Sequence, residues 1–186
     1  NFSERLEKSV LDGIIFSPPY ANCFDYTEIY KLELWFGDFV KSYDDLKKLR
    51  NKSLRSHLNV KYENDNLISD RSGLLNQQLA FVCKAELWDK RIPKMIFSYF
   101  EDMFNIIDNC CKSLRKDGFC AIVVGNSAYG GIIVPTDLIL AQYAESIGFR
   151  VDKIEVDRYI ITSSQQYEKT KENGKYLRES VICLVK

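Results

Sequence analysis

Gly13-Ile14-Ile15-Phe16-Ser17-Pro18-Pro19-Tyr20 is the stretch on which the reading of this 186-residue chain turns. The run Gly13–Phe16 is apolar and stopped at once by Pro18-Pro19, which predicts a short strand buried on both faces. Each proline ring fixes a backbone φ, so the Ser17 side chain and the Pro18 carbonyl leave the strand in set directions. In open α/β sheets ligands bind beyond the carboxyl ends of strands, and Ser17–Tyr20 falls at such an end. A plain rigid strand-to-loop turn is the other reading of the same four residues.

The flanking sequence places this strand in an α/β fold. Tyr26–Phe36 (YTEIYKLELWF) reads as an amphipathic helix ending near Gly37. Phe97, Phe100, Phe104, Ile107, Cys111 and Leu114 recur at spacings of three and four, as on a core-facing helix, and Asp117-Gly118 ends it. FCAIVV (119–124) reads as a buried strand, GNSAYGG (125–131) as a loop, and residues 135–147 as a helix opened by Pro-Thr-Asp and closed by Gly148. Residues 150–162 and 179–185 are β-rich and flank a polar loop, residues 163–176. Residues 3–10 predict a short helix or turn with Ser3 as its cap. Alternating strands and helices imply a parallel sheet covered by helices, and the last two strands should pair as an antiparallel hairpin at its edge. Residues 38–91 interrupt this order as a polar insert without a long period.

Composition narrows the classes. The length fits one domain, spanning residues 1–186, and 46% hydrophobic with 28% charged residues is ordinary globular composition. No run of about 18 apolar residues exists, so no membrane span is expected. Lys plus Arg (26) equals Asp plus Glu (26), so only the distribution of charge can point to a polyanionic partner. Within residues 41–61, seven Lys or Arg face two Asp. Six cysteines form no C-x-x-C pair and read as reduced thiols of a cytoplasmic protein. The single histidine, His57, makes neither a His-based metal site nor a Ser-His-Asp triad, and reads as a surface residue. The chain opens on Asn1 almost directly before a strand, the pattern of a fragment.

Ser-Pro-Pro-Tyr after a buried strand resembles the target-amine motif of the S-adenosylmethionine-dependent DNA aminomethyltransferases. SPPYANCFDYTEIYKLELWFGDF and VVGNSAYGGIIVPTDLILAQYAESIGF are similar to site-specific members of that family. The resemblance covers nearly the whole chain. It implies a class I methyltransferase, Rossmann-like sheet, mostly parallel, with residues 13–186 supplying the fourth to seventh strands, the last two forming the closing antiparallel hairpin. It implies S-adenosylmethionine as cofactor, DNA as partner, a cognate restriction endonuclease as counterpart, and neither metal nor membrane. The family's glycine-rich cofactor loop has no counterpart here, because Gly125, Gly130 and Gly131 lack G-x-G-x-x-G spacing; the cofactor half would precede Asn1.

The same resemblance assigns roles. Ser17 and Pro18 would accept the two protons of an exocyclic base amine, Pro19 would stiffen the bend, and Tyr20 would stack on the flipped base. Ser at the first motif position goes mostly with cytosine N4 and Asp with adenine N6, so cytosine is favoured with adenine left open. A ring-carbon mechanism needs a Pro-Cys nucleophile, and the sequence has no Pro-Cys dipeptide. Lys47, Lys48, Arg50, Lys52 and Arg55 of the insert would contact phosphates, and Gln165 and Tyr167 of the late polar loop would face the base. Asn126 and Ser127 would cap a turn beside the pocket, and Tyr26, Tyr30 and Trp35 would form core or pocket wall. Two other readings stand beside this one: a non-catalytic DNA-binding or partner-dependent segment, and a methyltransferase of RNA or protein, whose relatives carry Asn where this chain has Ser17.

Overall fold

The computed structural model describes residues 9–62, 65–160 and 164–186, without the side chains of 164–166. Most of the helix expected over residues 3–10 lies outside them. In chain order the elements are β1 (Leu11–Phe16), α1 (Tyr26–Ile29), α2 (Lys31–Phe36), α3 (Tyr43–Lys52), α4 (Gly73–Val82) and α5 (Ile92–Ser113). There follow β2 (Leu114–Gly125), β3 (Ser127–Tyr129), β4 (Ile132–Val134), α6 (Thr136–Ser146), β5 (Arg150–Tyr159), α7 (Ser164–Thr170), a 3-10 turn (Lys171–Tyr176) and β6 (Arg178–Val185).

The main sheet has the order β1-β2-β6-β5. β1 runs parallel to β2, with Ile14 opposite Cys120 and Phe16 opposite Ile122. β6 is antiparallel to both β2 and β5. The architecture is thus α/β with a mixed sheet. The closing strands pair antiparallel at the edge of the sheet as expected: β6 lies between β2 and β5, and β5 takes the edge.

Alternation along the strands fixes which face is covered. Cys120, Ile122 and Val124 of β2 and Ile182 and Leu184 of β6 are buried under α5 and α6. α5 delivers Tyr99, Phe100, Met103, Phe104 and Ile107 to that layer, each fully buried, and every such side chain contributes about 1.5–3 kcal/mol. α6 adds Ile139, Leu140 and Ala144. Its end needs Gly148 at φ +104°, where the Gly148 and Phe149 amides close back onto the Glu145 and Ala144 carbonyls. The opposite face is open: Ile15 is 71% exposed. The expectation of a strand buried on both faces therefore fails on one, because among the described residues the long helices lie on a single side.

Five segments depart from the sequence reading. The helix expected to run to Asp117-Gly118 stops at Ser113, because β2 already begins at Leu114, and the loop expected over residues 125–131 contains β3, which pairs with β4. The insert is not structureless: α3 is capped by Ser42 and α4 by Ser72, whose hydroxyls accept from the Asp45 and Leu75 amides. The polar loop after β5 is α7 followed by the 3-10 turn. The helix over 26–36 is two short helices, because Tyr30 leaves helical geometry at φ −95°, ψ 20°. Tyr26, Tyr30 and Trp35 stand exposed rather than forming core, since Thr27 is the only buried residue of the pair and its neighbours are polar.

Candidate functional site

The carboxyl ends of β1 and β2 open side by side. Ser17 leaves β1 exposed, and its hydroxyl donates to the Val123 carbonyl at 3.3 Å, so its oxygen lone pairs remain to accept. Pro18 is buried and anchors the bend. Tyr20 then lies over the end of β2: a Cβ on Gly125 would stand 2.8 Å from its Cδ2 and 3.0 Å from its Cε2. Glycine at 125 is what lets the ring approach.

Tyr20 is one wall of a cavity of about 570 Å³, shared with Asn22, Tyr129, Arg158, Tyr159 and Glu179. Of the four motif residues only Tyr20 lines it; Ser17, Pro18 and Pro19 lie beside it. The register explains its floor, since Gly125 is opposite Glu179 and Glu179 opposite Arg158, one row across three strands. Arg158 donates to Glu179 at 3.0 Å. Burial raises the Tyr20 pKa, the neighbouring Ser17 hydroxyl offsets part of this, and the Glu179 carboxylate raises it further, so the phenol stays neutral. Arg158 and Glu179 escaped the sequence reading because their place in this row depends on strand register.

The loop after Tyr20 is pinned from two sides. Tyr129 of β3 donates to the Ala21 carbonyl at 2.7 Å, and Cys23 turns the chain at φ +64°. Asp25 caps α1 by accepting from the Thr27 and Glu28 amides. Its other oxygen takes Asn59 Nδ2 at 2.8 Å and stands 3.0 Å from Arg50 Nε. Burial opposes the charge on Asp25, but the hydrogen bonds from Asn59 and Thr27, with the charge of Arg50, outweigh it and hold the carboxyl below its usual range. His57 belongs to this cluster and is 3% exposed, correcting the surface assignment. Its Nδ1 accepts from the Asn59 amide, which leaves Nε2 protonated and without a partner among the described residues. Burial lowers its pKa, so it is held neutral.

The basic residues of the insert divide. Lys47 and Lys52 are exposed, and Lys48 lies 3.6 Å from Asp45. Arg50 is tied to Asp25 and Glu28, and Arg55 makes a two-pronged pair with Asp102 of α5 at 2.9 and 2.6 Å. Lys47, Arg50 and Arg55 share the wall of a second cavity of about 880 Å³. Tyr167 is exposed on α7, while the Gln165 side chain lies outside the described residues. Asn126 is a structural cap: it accepts from the Asp137 amide and donates to the Tyr176 carbonyl, while Ser127 opens β3 and lines the first cavity. Gly130 and Gly131 make the β3–β4 turn against Glu86 and Lys169, so they form no open cradle for a nucleotide. Among the described residues no cluster of His, Cys, Asp or Glu is arranged to hold a metal, and no helix is long and apolar enough to cross a membrane.

Over 160 aligned residues the chain is 36% identical to the type II methyltransferase M.AvaI, in forms from Nostoc sp. and Anabaena variabilis. The alignment takes in 81% of this chain and 33% of each relative. The chain is homologous to type II methyltransferases. A further relative is the type II methyltransferase M.BsoBI of Geobacillus stearothermophilus, 28% identical over 174 residues, which are 83% of this chain and 34% of that protein. The chain thus spans about a third of the length of these relatives. No family model and no solved structure matches it.

Proposed function

We propose that the protein to which this chain belongs transfers a methyl group from S-adenosylmethionine to the exocyclic amine of a base flipped out of DNA, cytosine N4 in preference to adenine N6. The observation that carries this is the Ser-Pro-Pro-Tyr bend at a strand end, its tyrosine walling a cavity, in a homologue of type II methyltransferases. The sheet is then the later part of a class I, Rossmann-like methyltransferase fold, residues 1–186 part of one catalytic domain, and residues 38–91 its DNA-contacting insert. Such a protein works in the cytoplasm, beside a restriction endonuclease that cuts the unmethylated site.

The role of this chain is to hold the amine. An exocyclic amine is a weak nucleophile because its lone pair is delocalised into the ring. Ser17 Oγ and the Pro18 carbonyl accept its two N–H groups, which favours a pyramidal nitrogen with its lone pair free. Pro19 keeps the bend stiff. Tyr20 stacks on the extruded ring, returning about 1–3 kcal/mol of the few spent on flipping. S-adenosylmethionine would supply an electrophilic methyl to the nitrogen that Ser17 and Pro18 hold in place. The glycines described here make no cradle for that cofactor, so no residue of the chain is assigned to it. Lys47, Lys48, Arg50, Lys52 and Arg55 contact phosphates, and Gln165 and Tyr167 approach the base from α7. The missing cradle also favours a second reading, a DNA-binding segment that relies on another segment or subunit for its cofactor.

Nucleoside mass spectrometry of DNA incubated with the full protein and methyl-labelled cofactor tests the proposal. Labelled N4-methylcytosine is expected, lost in Ser17→Ala and in Tyr20→Ala with circular dichroism unchanged. Undiminished label in both variants overturns the residue roles, and N6-methyladenine overturns the base preference.

A further inference from the structure

Resting on the DNA reading above and extending it, we propose that the phosphodiester backbone is held in a two-lobed basic trough where the end of the insert meets the start of α5. The larger lobe, about 880 Å³, is walled by Lys47, Arg50, Arg55, Lys61 and Arg91, with Asp44 the one acid in its wall. The smaller, about 540 Å³, is walled by Lys61, Lys90, Arg91 and Lys94, with no acid among the described residues. Lys61 and Arg91 line both lobes, so the two are neighbours along one surface. Lys90, Arg91 and Lys94 lie some thirty residues beyond the basic stretch of the sequence, and only folding brings the two groups together.

The cations have two kinds of environment. Arg50, Arg55, Arg91 and Lys94 are fixed by Asp25, Asp102, Asp89 and Asp65. Arg91 also donates to the Leu58 carbonyl at 2.9 Å, which stitches the two segments together. Lys47, Lys61 and Lys90 are exposed and form no ion pair among the described residues, so their charges are free to replace condensed counterions. Charges spread along an open wall suit a polyanion with regularly spaced phosphates better than a small anion, which needs donors converging on one point. The trough is also in register with the methylation corner. Arg50 pairs with Asp25, and Asp25 caps the helix that follows the Ser17–Tyr20 bend. A backbone seated in the trough thereby sits at a fixed offset from Tyr20.

The test is binding of the full protein to a fluorescein-labelled random-sequence duplex across a salt series, for the unaltered protein, Lys61→Gln/Lys90→Gln, and Lys116→Gln as a control on an exposed lysine outside the trough. Each lost phosphate contact lowers the slope of log affinity against log salt by about 0.9, so the double variant should lose about two in slope and bind more weakly at low salt, with Lys116→Gln unchanged. Unchanged slope and affinity in the double variant overturn the trough. So do a protein that binds no duplex, or a poly-glutamate peptide that displaces the duplex as well as unlabelled DNA does. Methyl transfer is scored in parallel. Transfer that survives with an unchanged salt slope sinks the trough alone, whereas a trough-dependent slope without any transfer sinks the methylation reading and leaves the trough standing.

Discussion

Replacing Gly125 with alanine probes the contact on which the base-stacking role of Tyr20 depends. The new methyl would lie 2.8 Å from Tyr20 Cδ2, 3.0 Å from Cε2 and 3.3 Å from Ile160 Cδ1. An ordinary carbon–carbon contact is about 3.5 Å or more, so the edge of the ring must retreat by about 0.7 Å. It can do so, because one side of the ring borders the cavity rather than packed core. Stability should therefore change little, by about 1 kcal/mol, the low end of overpacking costs. Activity should suffer more: a displacement approaching 1 Å at a positioning residue costs on the order of 100-fold in rate. The assay is methyl transfer to DNA alongside denaturant unfolding, for Gly125→Ala, Tyr20→Ala and the double variant. Once the ring is gone the added methyl meets only the milder 3.3 Å contact with Ile160 Cδ1, so the double variant should come close to Tyr20→Ala, a coupling visible as non-additivity. Full activity in Gly125→Ala, or strictly additive losses, would refute the argument that this close approach sets the ring.

Other consequences follow from the same contacts. His57 is held neutral by burial, its pKa below the ordinary value, so the unfolded chain takes up that proton first as pH falls. Its stabilisation is complete above about pH 6.5 and drains away as pH drops from there through the depressed folded value; urea unfolding between pH 7.5 and 5 should show the slope, and His57→Asn should flatten it. Arg55→Ala breaks the pair with Asp102 that fastens the insert to α5; both groups are partly exposed, so the loss should be about 1 kcal/mol, read from denaturant midpoints. Gly148→Ala puts a side chain at φ +104° and should cost about 1–2 kcal/mol in thermal or chemical unfolding, with rate per folded molecule unchanged.

What could be read from the sequence was whatever depended on local pattern. β1 with its proline stop, the buried stretch of β2, the periodic face of α5 and the Pro-to-Gly limits of α6 all announce themselves within a window of a few residues. α3 does not, because Leu46 is its only buried residue, too thin an apolar stripe to show a period. α4 does carry one, Leu75, Leu79 and Val82 after the Ser72 cap, but three positions in a ten-residue helix make too short a repeat to stand out from the polar segment around it. The environment of His57 was invisible in principle: its partners Asp25 and Asn59 come together only when the loop after Tyr20 meets the insert. The cavity floor is similar, since Gly125, Glu179 and Arg158 form a row only in the particular register of three strands.

The place of β6 has a consequence for how this sheet is assembled. β2 and β5 are both synthesised before the segment that joins them, and neither pairs with the other. Until Arg178–Val185 emerges, each offers a bare row of amides and carbonyls to any passing strand, and the two halves of the sheet remain separate ribbons. Zipping them together is a late, long-range event, so lesions within those eight residues should expose the growing chain to clumping during synthesis far more than comparable lesions in β1, which pairs with β2 alone.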